Sequence, residues 1–337
     1  DYIRIKQIIK KCFYKMRNKL NILEPLMEDK EITEIMVNGC EDIFYEKNNC
    51  IYRYDLTFDN NEELEEVLHL IAGDLNKDIN ELNPIVDARL PDGSRVNGVY
   101  KNIALNGPTI TIRRFLENYI TMDQLVANNT LTRQAAELLR IFVECGYNIF
   151  ISGGTSTGKT TLINALGGYI PKDERVIIIE DSAELRLRDI ENLVQLECRN
   201  KNSLGKGEVT MSALVKNSLR MRPDRIIIGE VRGEEVFHML QAMNTGHAGS
   251  LTTMHANSSY DALNRLETMI LMAGMEIPVK ALREYIENAI DIVVEMERLS
   301  DGRRRVTNIS EIVGFKDDAI ELRRIFGFDQ TGVSETG

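Results

Sequence analysis

Residues 149–160 read IFISGGTSTGKT, a short apolar run followed by a loop that contains three glycines and one lysine. The spacing Gly153-x4-Gly158-Lys159-Thr160 is the pattern of a phosphate-binding loop, and the helical pattern after it completes the strand–loop–helix setting that the pattern requires. Glycines let successive backbone N–H groups point at one anion, and the positive end of the next helix adds to the attraction. The stretch predicts a nucleoside triphosphate site, with Lys159 on the β- and γ-phosphates and the Thr160 hydroxyl on Mg²⁺.

Apolar runs alternate with helical segments on both sides of this loop. A helix with Leu138, Leu139, Phe142 and Val143 precedes it, and four further apolar runs follow it: RVIIIED, NLVQLECR, RIIIGEV and GSLTTMHA. Short apolar runs separated by helices are typical of a mostly parallel sheet that is buried on both faces. The second part of the chain is therefore predicted to be an α/β domain.

The first part of the chain has a different pattern. Residues 31–58 read as short antiparallel strands with an Asn-Gly turn, and an acidic helix with one apolar face starts near Glu62. A strand–turn–strand around Pro91-Asp92-Gly93 and the strand TITIRRF follow. These elements predict a smaller α+β domain that closes near Phe115.

Composition limits the classes of protein that are possible. A chain of 337 residues is long enough for two domains, and its net charge of −11 argues against a general nucleic-acid binder. No apolar run approaches the roughly 18–20 residues of a membrane helix and no signal peptide is visible, so the cytoplasm is the expected location. Five scattered cysteines without a CxxC pair favour reduced thiols over a structural zinc site. Because the chain begins at Asp1, it is expected to be part of a longer natural sequence.

Residues 1–20 are basic, with seven Lys and Arg against one Asp, and their apolar side chains fall at helical spacing. Such an amphipathic helix either packs on its own domain, which we favour, or lies on an anionic membrane surface. The polar residues after Gly327 predict a flexible tail.

Acidic residues follow two of the predicted strands. The acids of residues 180–184 come directly after an apolar run, where α/β sheets hold ligands, and can orient water or hold Mg²⁺; acids at such places are also common helix caps. Glu230 follows another strand, and Gly229 stands where a metal-assisting Asp usually precedes it. Glu230 is therefore predicted to polarise water, and Arg232 to face a phosphate or a neighbouring subunit.

Two of the four histidines, His247 and His255, stand at the start and end of one predicted strand. A metal site is disfavoured because no carboxylate or cysteine has companion spacing. A sensor of the γ-phosphate fits better, since an imidazole N–H can report whether the phosphate is present. A purely structural role stays open for His247.

Four motifs in this order, GGTSTGKTT, IEDSAEL, LRMRPDRIIIGEVRG and TGHAGSLTTMHAN, resemble the secretion ATPase superfamily of type II secretion, type IV secretion and type IV pilus machines. The glycine before Glu230 is normal for that family. Three further stretches, MEDKEITEIMVNG, DARLPDGSRVNGV and LNRLETMILMAGMEIP, resemble the CpaF-type ATPases of tight-adherence pilus systems. The resemblance runs from about Ile22 to about Gly314.

The resemblance implies an α/β fold, with a RecA-like P-loop ATPase domain and a smaller α+β, PAS-like amino-terminal domain. The expected divisions are a basic amphipathic helix at 1–20, the amino-terminal domain at 21–113, a linker at 114–121, the ATPase domain at 122–326 and a flexible tail at 327–337.

The resemblance also implies functions for particular residues. Those expected to bind ATP are Gly154, Thr155, Ser156, Thr157, Gly158, Lys159, Thr160 and Thr161, together with the amino-terminal arginines Arg89, Arg95, Arg113 and Arg114. Those expected to take part in catalysis are Glu184, Glu230, Lys159 and His255, with Thr160 and Glu184 as ligands of Mg²⁺.

The implied protein is a hexameric Mg-ATPase motor for assembly of a type IV, tight-adherence-like pilus or for protein secretion. It would work with inner-membrane platform proteins at the cytoplasmic face of the membrane, without direct contact to nucleic acid. A conjugative DNA-transfer ATPase is the alternative within the family. A nucleotide-dependent scaffold without hydrolysis is the alternative outside it, and the presence of Lys159, Glu184 and Glu230 argues against it.

Overall fold

The structure is a computed structural model that describes residues 14, 20–48, 50–74, 77–114, 120–199, 201, 205–316 and 319–329. The chain divides into two compact units, Asp1–Asn118 and Tyr119–Gly337, and the division falls within the stretch 114–121 that the sequence predicts as a linker. The predicted basic helix lies outside the described residues except for positions 14 and 20. Most of the predicted tail also lies outside them.

The first unit is an antiparallel sheet covered by one long helix. A 3-10 turn at Asn21–Leu23 leads into its elements, which are α1 (Glu24–Glu28), β1 (Ile32–Asn38), β2 (Asp42–Lys47), β3 (Cys50–Arg53), α2 (Asn61–Asp74), β4 (Ile85–Arg89), β5 (Arg95–Val99) and β6 (Thr109–Arg113). The strand order is β3-β2-β1-β6-β5-β4, with antiparallel pairing throughout. The predicted α+β domain is confirmed.

Helix α2 packs its apolar face on this sheet. Leu64, Val67 and Leu68 are buried in the core that the helix shares with the strands. A Cβ on Gly98 of β5 would lie only 2.3 Å from Leu68 Cδ1. The glycine therefore allows the helix to approach the sheet closely.

The second unit is a larger sheet with helices on both faces. Its elements are α3 (Met122–Ala127), α4 (Arg133–Glu144), β7 (Ile149–Gly153), α5 (Lys159–Gly167), β8 (Val176–Glu180), β9 (Leu193–Glu197), α6 (Met211–Ser218), β10 (Arg225–Ile228), α7 (Glu235–Asn244), β11 (Leu251–Met254), α8 (Ser259–Met272), α9 (Val279–Ala289), β12 (Ile292–Arg298), β13 (Arg304–Lys316) and β14 (Ala319–Gly327). The strand order is β14-β13-β12-β7-β11-β10-β8-β9. Strands β12 to β9 in this order are parallel, whereas β13 and β14 extend the sheet antiparallel.

Each face of the parallel strands has its own core. Ile149 and Ile151 of β7 pack with α3, α4 and α5, while Phe150 between them packs with α6, α7, α8 and α9. Every residue of β7, β8, β10 and β11 is buried, as expected for central parallel strands. The predicted parallel sheet is confirmed; its strand β12 and the antiparallel extension formed by β13 and β14 were not predicted from the sequence.

This topology collects the sequence motifs at one edge of the sheet. Strands β7, β11, β10 and β8 are consecutive neighbours and run in the same direction. Their carboxyl ends lead into the glycine-rich loop, His255, Glu230 and residues 180–184 respectively. In parallel sheets ligands bind at this edge.

Candidate nucleotide-binding site

The loop between β7 and α5 has the backbone conformation that its glycines allow. Gly158 has φ +100° and forms the amino-terminal cap of α5, while Ser156 at the loop apex has φ +58°. A Cβ on Gly153 would lie 2.4 Å from the carbonyl oxygen of Met296 on β12. Within the loop, the Thr157 hydroxyl donates to the Gly154 carbonyl at 3.0 Å. The loop is thus held in a tight curl against the neighbouring strand.

Lys159, in the first turn of α5, is buried and bonded to the loop itself. Its Nζ donates to the carbonyl oxygens of Gly153 at 2.9 Å and Gly154 at 2.8 Å. Burial lowers the pKa of Lys159, and the nearby carboxylate of Glu230 partly opposes that shift. The ammonium is therefore held by two carbonyl oxygens of the loop itself.

His255 links this lysine to Glu230. Its Nδ1 lies 3.3 Å from Lys159 Nζ, and its Nε2 lies 2.9 Å from Glu230 Oε1. An ammonium has only donors, so Nδ1 accepts and the proton of a neutral ring is on Nε2, the nitrogen beside the carboxylate. Burial and the positive charge of Lys159 lower the pKa of His255, which agrees with a neutral ring. The three side chains form one row of polar contacts, in which Lys159 is hydrogen-bonded to His255 and His255 lies against Glu230.

The row of contacting side chains continues with Arg232. Arg232 Nη2 donates to Glu230 Oε2 at 2.7 Å, and Nη1 lies 3.7 Å from Asp181 Oδ2. This hydrogen bond, helped by the charges of Glu230, Asp181 and Glu184, raises the pKa of Arg232. Residues predicted from three separate motifs, Lys159, Glu230 and His255, are therefore brought into direct contact.

The position of Glu180 explains why residue 229, directly before Glu230, is a glycine and not an aspartate. The side chain of Glu180, at the end of β8, is 4% exposed, and its Oε1 accepts hydrogen bonds from the backbone N–H of Glu184 at 2.8 Å and Leu185 at 3.0 Å. A Cβ on Gly229 would lie 2.8 Å from Glu180 Cγ. The space that a side chain at 229 would need is therefore filled by a carboxylate from the adjacent strand.

The remaining predicted residues of this region lie around the same edge. Glu184 is half-buried, with its backbone fixed by Glu180, and its charge acts on Arg232. Thr160 is half-buried in the first turn of α5. Sequence reasoning grouped Glu180 with these acids but missed its contacts. The signal that could have found them is Gly229, because a glycine in a strand pattern often marks close approach of another group.

His247 stands at the other end of β11 from His255. Its Nδ1 lies 3.2 Å from the carbonyl oxygen of Ala242, and its own carbonyl accepts from the Ser250 hydroxyl at 2.8 Å. These contacts fix the turn that precedes β11. They favour the structural role that the sequence left open for this histidine.

Three of the four amino-terminal arginines form a row across the sheet of the first unit. Arg89 on β4 is paired with Arg95 on β5, which is paired in turn with Arg113 on β6. Residues directly opposite each other in antiparallel strands lie on the same face, and like charges in such positions repel. The turn that sets this register is fixed by Asp92, which accepts from the backbone N–H and the hydroxyl of Ser94 at 2.9 and 2.8 Å.

Arg114 has a different environment. Its Nη1 donates to the carbonyl oxygens of Leu26, at 3.2 Å, and of Asp29. As the residue after Arg113, it points away from the arginine row. Arg114 therefore joins α1 and the start of β1 to the end of β6 within the first unit.

The described cysteines form no disulfide bond, and the described helices do not meet the requirements of a membrane span. Cys40, Cys50, Cys145 and Cys198 are free thiols, and burial raises the pKa of Cys198 to about 11. Within the described ranges, no helix combines the length and the apolar character needed to span a bilayer.

A parallel sheet between two layers of helices, with a glycine-rich loop and a buried lysine at its carboxyl edge, defines a P-loop ATPase domain. A model of the protein family described as "Type II/IV secretion system protein" matches residues 16–316. The chain therefore belongs to the type II/IV secretion system protein family.

Individual proteins are also similar to this chain. Conjugal transfer protein TrbB of Rhizobium radiobacter is 35% identical over 298 residues, covering 87% of each chain. Uncharacterized protein MJ0781 of Methanocaldococcus jannaschii is 40% identical over 250 residues, which are 72% of this chain but only 34% of that protein. The fold is similar to that of the Legionella pneumophila ATPase DotB, with a TM-score of 0.59 and 22% identity over 84% of this chain and 77% of that one.

Proposed function

We propose that the chain is the subunit of a hexameric, Mg²⁺-dependent ATPase motor that powers assembly of a type IV, tight-adherence-like pilus or protein secretion. The observation that best supports hydrolysis is the contact of Lys159, His255 and Glu230 at the mouth of the phosphate-binding loop. A scaffold that only binds nucleotide has no need for a carboxylate linked to the phosphate-binding lysine. The proposal extends the family assignment to the reaction, the ring and the cargo.

In this proposal, residues 154–161 bind the phosphates through backbone N–H groups, and Lys159 transfers its hydrogen bonds from loop carbonyls to phosphate oxygens. Glu230 accepts a proton from the attacking water, and Glu184 helps to orient that water. His255 reports the γ-phosphate, because withdrawal of Lys159 leaves its Nδ1 without the present donor.

The residues present fit a Mg²⁺ ion that arrives with the nucleotide. Such an ion keeps several waters and needs only one or two protein oxygens. The Thr160 hydroxyl and the Glu184 carboxylate are ligands of the type that Mg²⁺ prefers, and both lie at the carboxyl edge of the sheet. When bound, the ion neutralises charge on the β- and γ-phosphates.

The row of Arg89, Arg95 and Arg113 is proposed to bind nucleotide phosphates as well. Their guanidinium groups are on one face of the sheet, and paired N–H donors of this kind bind phosphate oxygens. For Arg114 the contacts with Leu26 and Asp29 favour a structural function instead. Alanine substitution of the three row arginines should lower ATP turnover, whereas Arg114→Ala should mainly lower the stability of the first unit.

A conjugative DNA-transfer ATPase is the second candidate, because TrbB is 35% identical over most of both chains. The three CpaF-like stretches favour the pilus system. The genes beside this one separate the two candidates. Small pilins and two polytopic membrane proteins support the pilus function, whereas a relaxase would contradict it. The platform proteins at the cytoplasmic face of the membrane are the proposed partners of the ring.

The central test is phosphate release from ATP with and without Mg²⁺, beside Lys159→Ala as a matched control that keeps the fold. We expect Mg²⁺-dependent turnover in the wild type and none in the variant, because the lysine contacts the transferred phosphate. Light scattering of the ATP-bound protein should give the mass of six chains. Absence of turnover, or a monomer at all concentrations, would contradict the proposal.

A further inference from the structure

The antiparallel hairpin of β12 and β13 forms one wall of the phosphate-binding loop, although no sequence motif marks it. Met296 of β12 is paired with Gly153 at the start of the loop. At the other end of the loop, a Cβ on Gly158 would lie 3.5 Å from Met296 Cε and 3.4 Å from Arg304 Cδ. Arg304 is the first residue of β13, so the hairpin contacts the loop at both ends.

Arg304 also contacts the apex of the loop. Its Nε donates to the carbonyl oxygen of Ser156 at 2.9 Å. Ser156 has φ +58°, a left-handed conformation that is uncommon for a residue with a Cβ and needs support from its surroundings. The hydrogen bond from Arg304 supplies such support.

A structural ion pair does not explain this arginine. Among the described residues Arg304 has no carboxylate partner, and the residue opposite it on β12 is another arginine, Arg298. Two arginines directly opposite each other are unfavourable in a sheet. The polar contact of Arg304 that the structure shows is its hydrogen bond to the Ser156 carbonyl.

The geometry of a peptide bond gives this contact a consequence for phosphate binding. In a trans peptide the C=O and the N–H point in opposite directions, so the Ser156 carbonyl and the Thr157 N–H are fixed together. A phosphate-binding loop works by pointing such N–H groups at the anion. We propose that Arg304 is a positioning residue for phosphate binding, which holds the Ser156–Thr157 peptide so that the Thr157 N–H faces the phosphates. This inference rests on the proposed function.

The test compares Arg304→Ala, Arg304→Lys and the neighbouring control Arg303→Ala in the full chain. Titration with a fluorescent ADP analogue measures affinity, and phosphate release measures KM and kcat. For Arg304→Ala we expect Kd and KM to rise about ten-fold, with kcat within about three-fold of the wild type, since a contact made equally before and during the reaction affects binding alone. Arg304→Lys should restore part of the affinity, because an ammonium can donate to the same carbonyl. Arg303→Ala should behave as the wild type.

A second ligand separates positioning from a general structural effect. Adenosine has no phosphate, so its weak binding should be the same in all variants. Wild-type ADP affinity in Arg304→Ala would overturn the inference. So would an equal loss for adenosine and ADP. If the wild type binds ADP but does not hydrolyse ATP, the proposed function is wrong, and the ADP affinities still decide on Arg304. If the wild type binds neither nucleotide, both proposals are wrong.

Discussion

Substitution of Gly229 by alanine tests whether the buried Glu180 sets the position of the catalytic carboxylates. The new Cβ would lie 2.8 Å from Glu180 Cγ and 3.2 Å from its Oε1, both shorter than ordinary van der Waals contact. Glu180 is 4% exposed and holds two backbone N–H groups, so it cannot move without releasing them. We therefore expect the backbone at Glu184 to shift.

Two magnitudes follow from this geometry. Overpacking of this kind costs about 1–3 kcal/mol of folding stability, and for a unit of this size each kcal/mol lowers Tm by roughly 2–4 °C. A displacement near 1 Å in a catalytic group can lower the rate about 100-fold. We expect kcat for ATP to fall about 10- to 100-fold, with KM within about three-fold, because the phosphate-binding loop is not touched.

The assay is steady-state phosphate release, with thermal unfolding as a check of the fold. Gly233→Ala is the matched control: its Cβ would lie 3.4 Å from Glu235 Oε2, and the N–H that Gly233 donates to Glu235 is kept. In a Glu180→Ala background the Gly229→Ala change should add little, because the side chain it collides with is gone. Wild-type turnover by Gly229→Ala, or a full additional loss in the double variant, would refute this reasoning.

Three further outcomes are expected. Arg225 is 2% exposed and donates to Val143 O and to the Glu174 carboxylate. Arg225→Met should therefore lower the free energy of unfolding by about 2–4 kcal/mol, measured by denaturant unfolding. A change under about 1 kcal/mol would contradict a structural ion pair. The pKa of His255 is lowered on folding, so the stability it contributes is full above pH 6.5 and is lost as the pH falls below it. His255→Gln should therefore flatten the loss of Tm between pH 7 and 5, and an unchanged slope would contradict the neutral ring. Glu230→Gln should keep ADP affinity within a few-fold while turnover falls, and loss of ADP binding would make Glu230 structural.

The phosphate-binding loop could be predicted from sequence because everything it needs is local. Its glycines, its lysine and the helix that follows are consecutive residues, and the structure places them as the spacing indicates. Strands β7, β8 and β10 were equally accessible, because each contains a continuous apolar run, whereas the parallel strand β12 was not predicted. What joins Lys159, His255 and Glu230 is the order β7-β11-β10, which no local pattern contains.

Contacts that depend on register or on distant pairing could not be predicted. The sequence names four amino-terminal arginines, but only the pairing of β4, β5 and β6 shows that Arg89, Arg95 and Arg113 share a row. Arg304 reaches Ser156 across 148 positions of sequence, through an antiparallel hairpin that the sequence did not predict. The alternation of that hairpin is weak, since polar Thr307 and Ser310 are buried whereas apolar Val313 and Ile325 are exposed.

The resting contacts also bear on the order of events under the proposed function. Lys159 is satisfied by two loop carbonyls and His255, whereas Glu230 accepts from Arg232 through Oε2 and has Oε1 2.9 Å from His255 Nε2. A nucleotide that binds here replaces existing hydrogen bonds of these side chains with new ones. The net free energy gained per bond is therefore small compared with that of a hydrogen bond between previously unpaired groups. Because one imidazole contacts both Lys159 and Glu230, movement of the lysine onto phosphate removes a hydrogen bond from the histidine that lies against the carboxylate. Phosphate binding and the release of Glu230 for catalysis are in this way coupled through His255, which explains why a histidine suits that position better than a residue with a single polar atom.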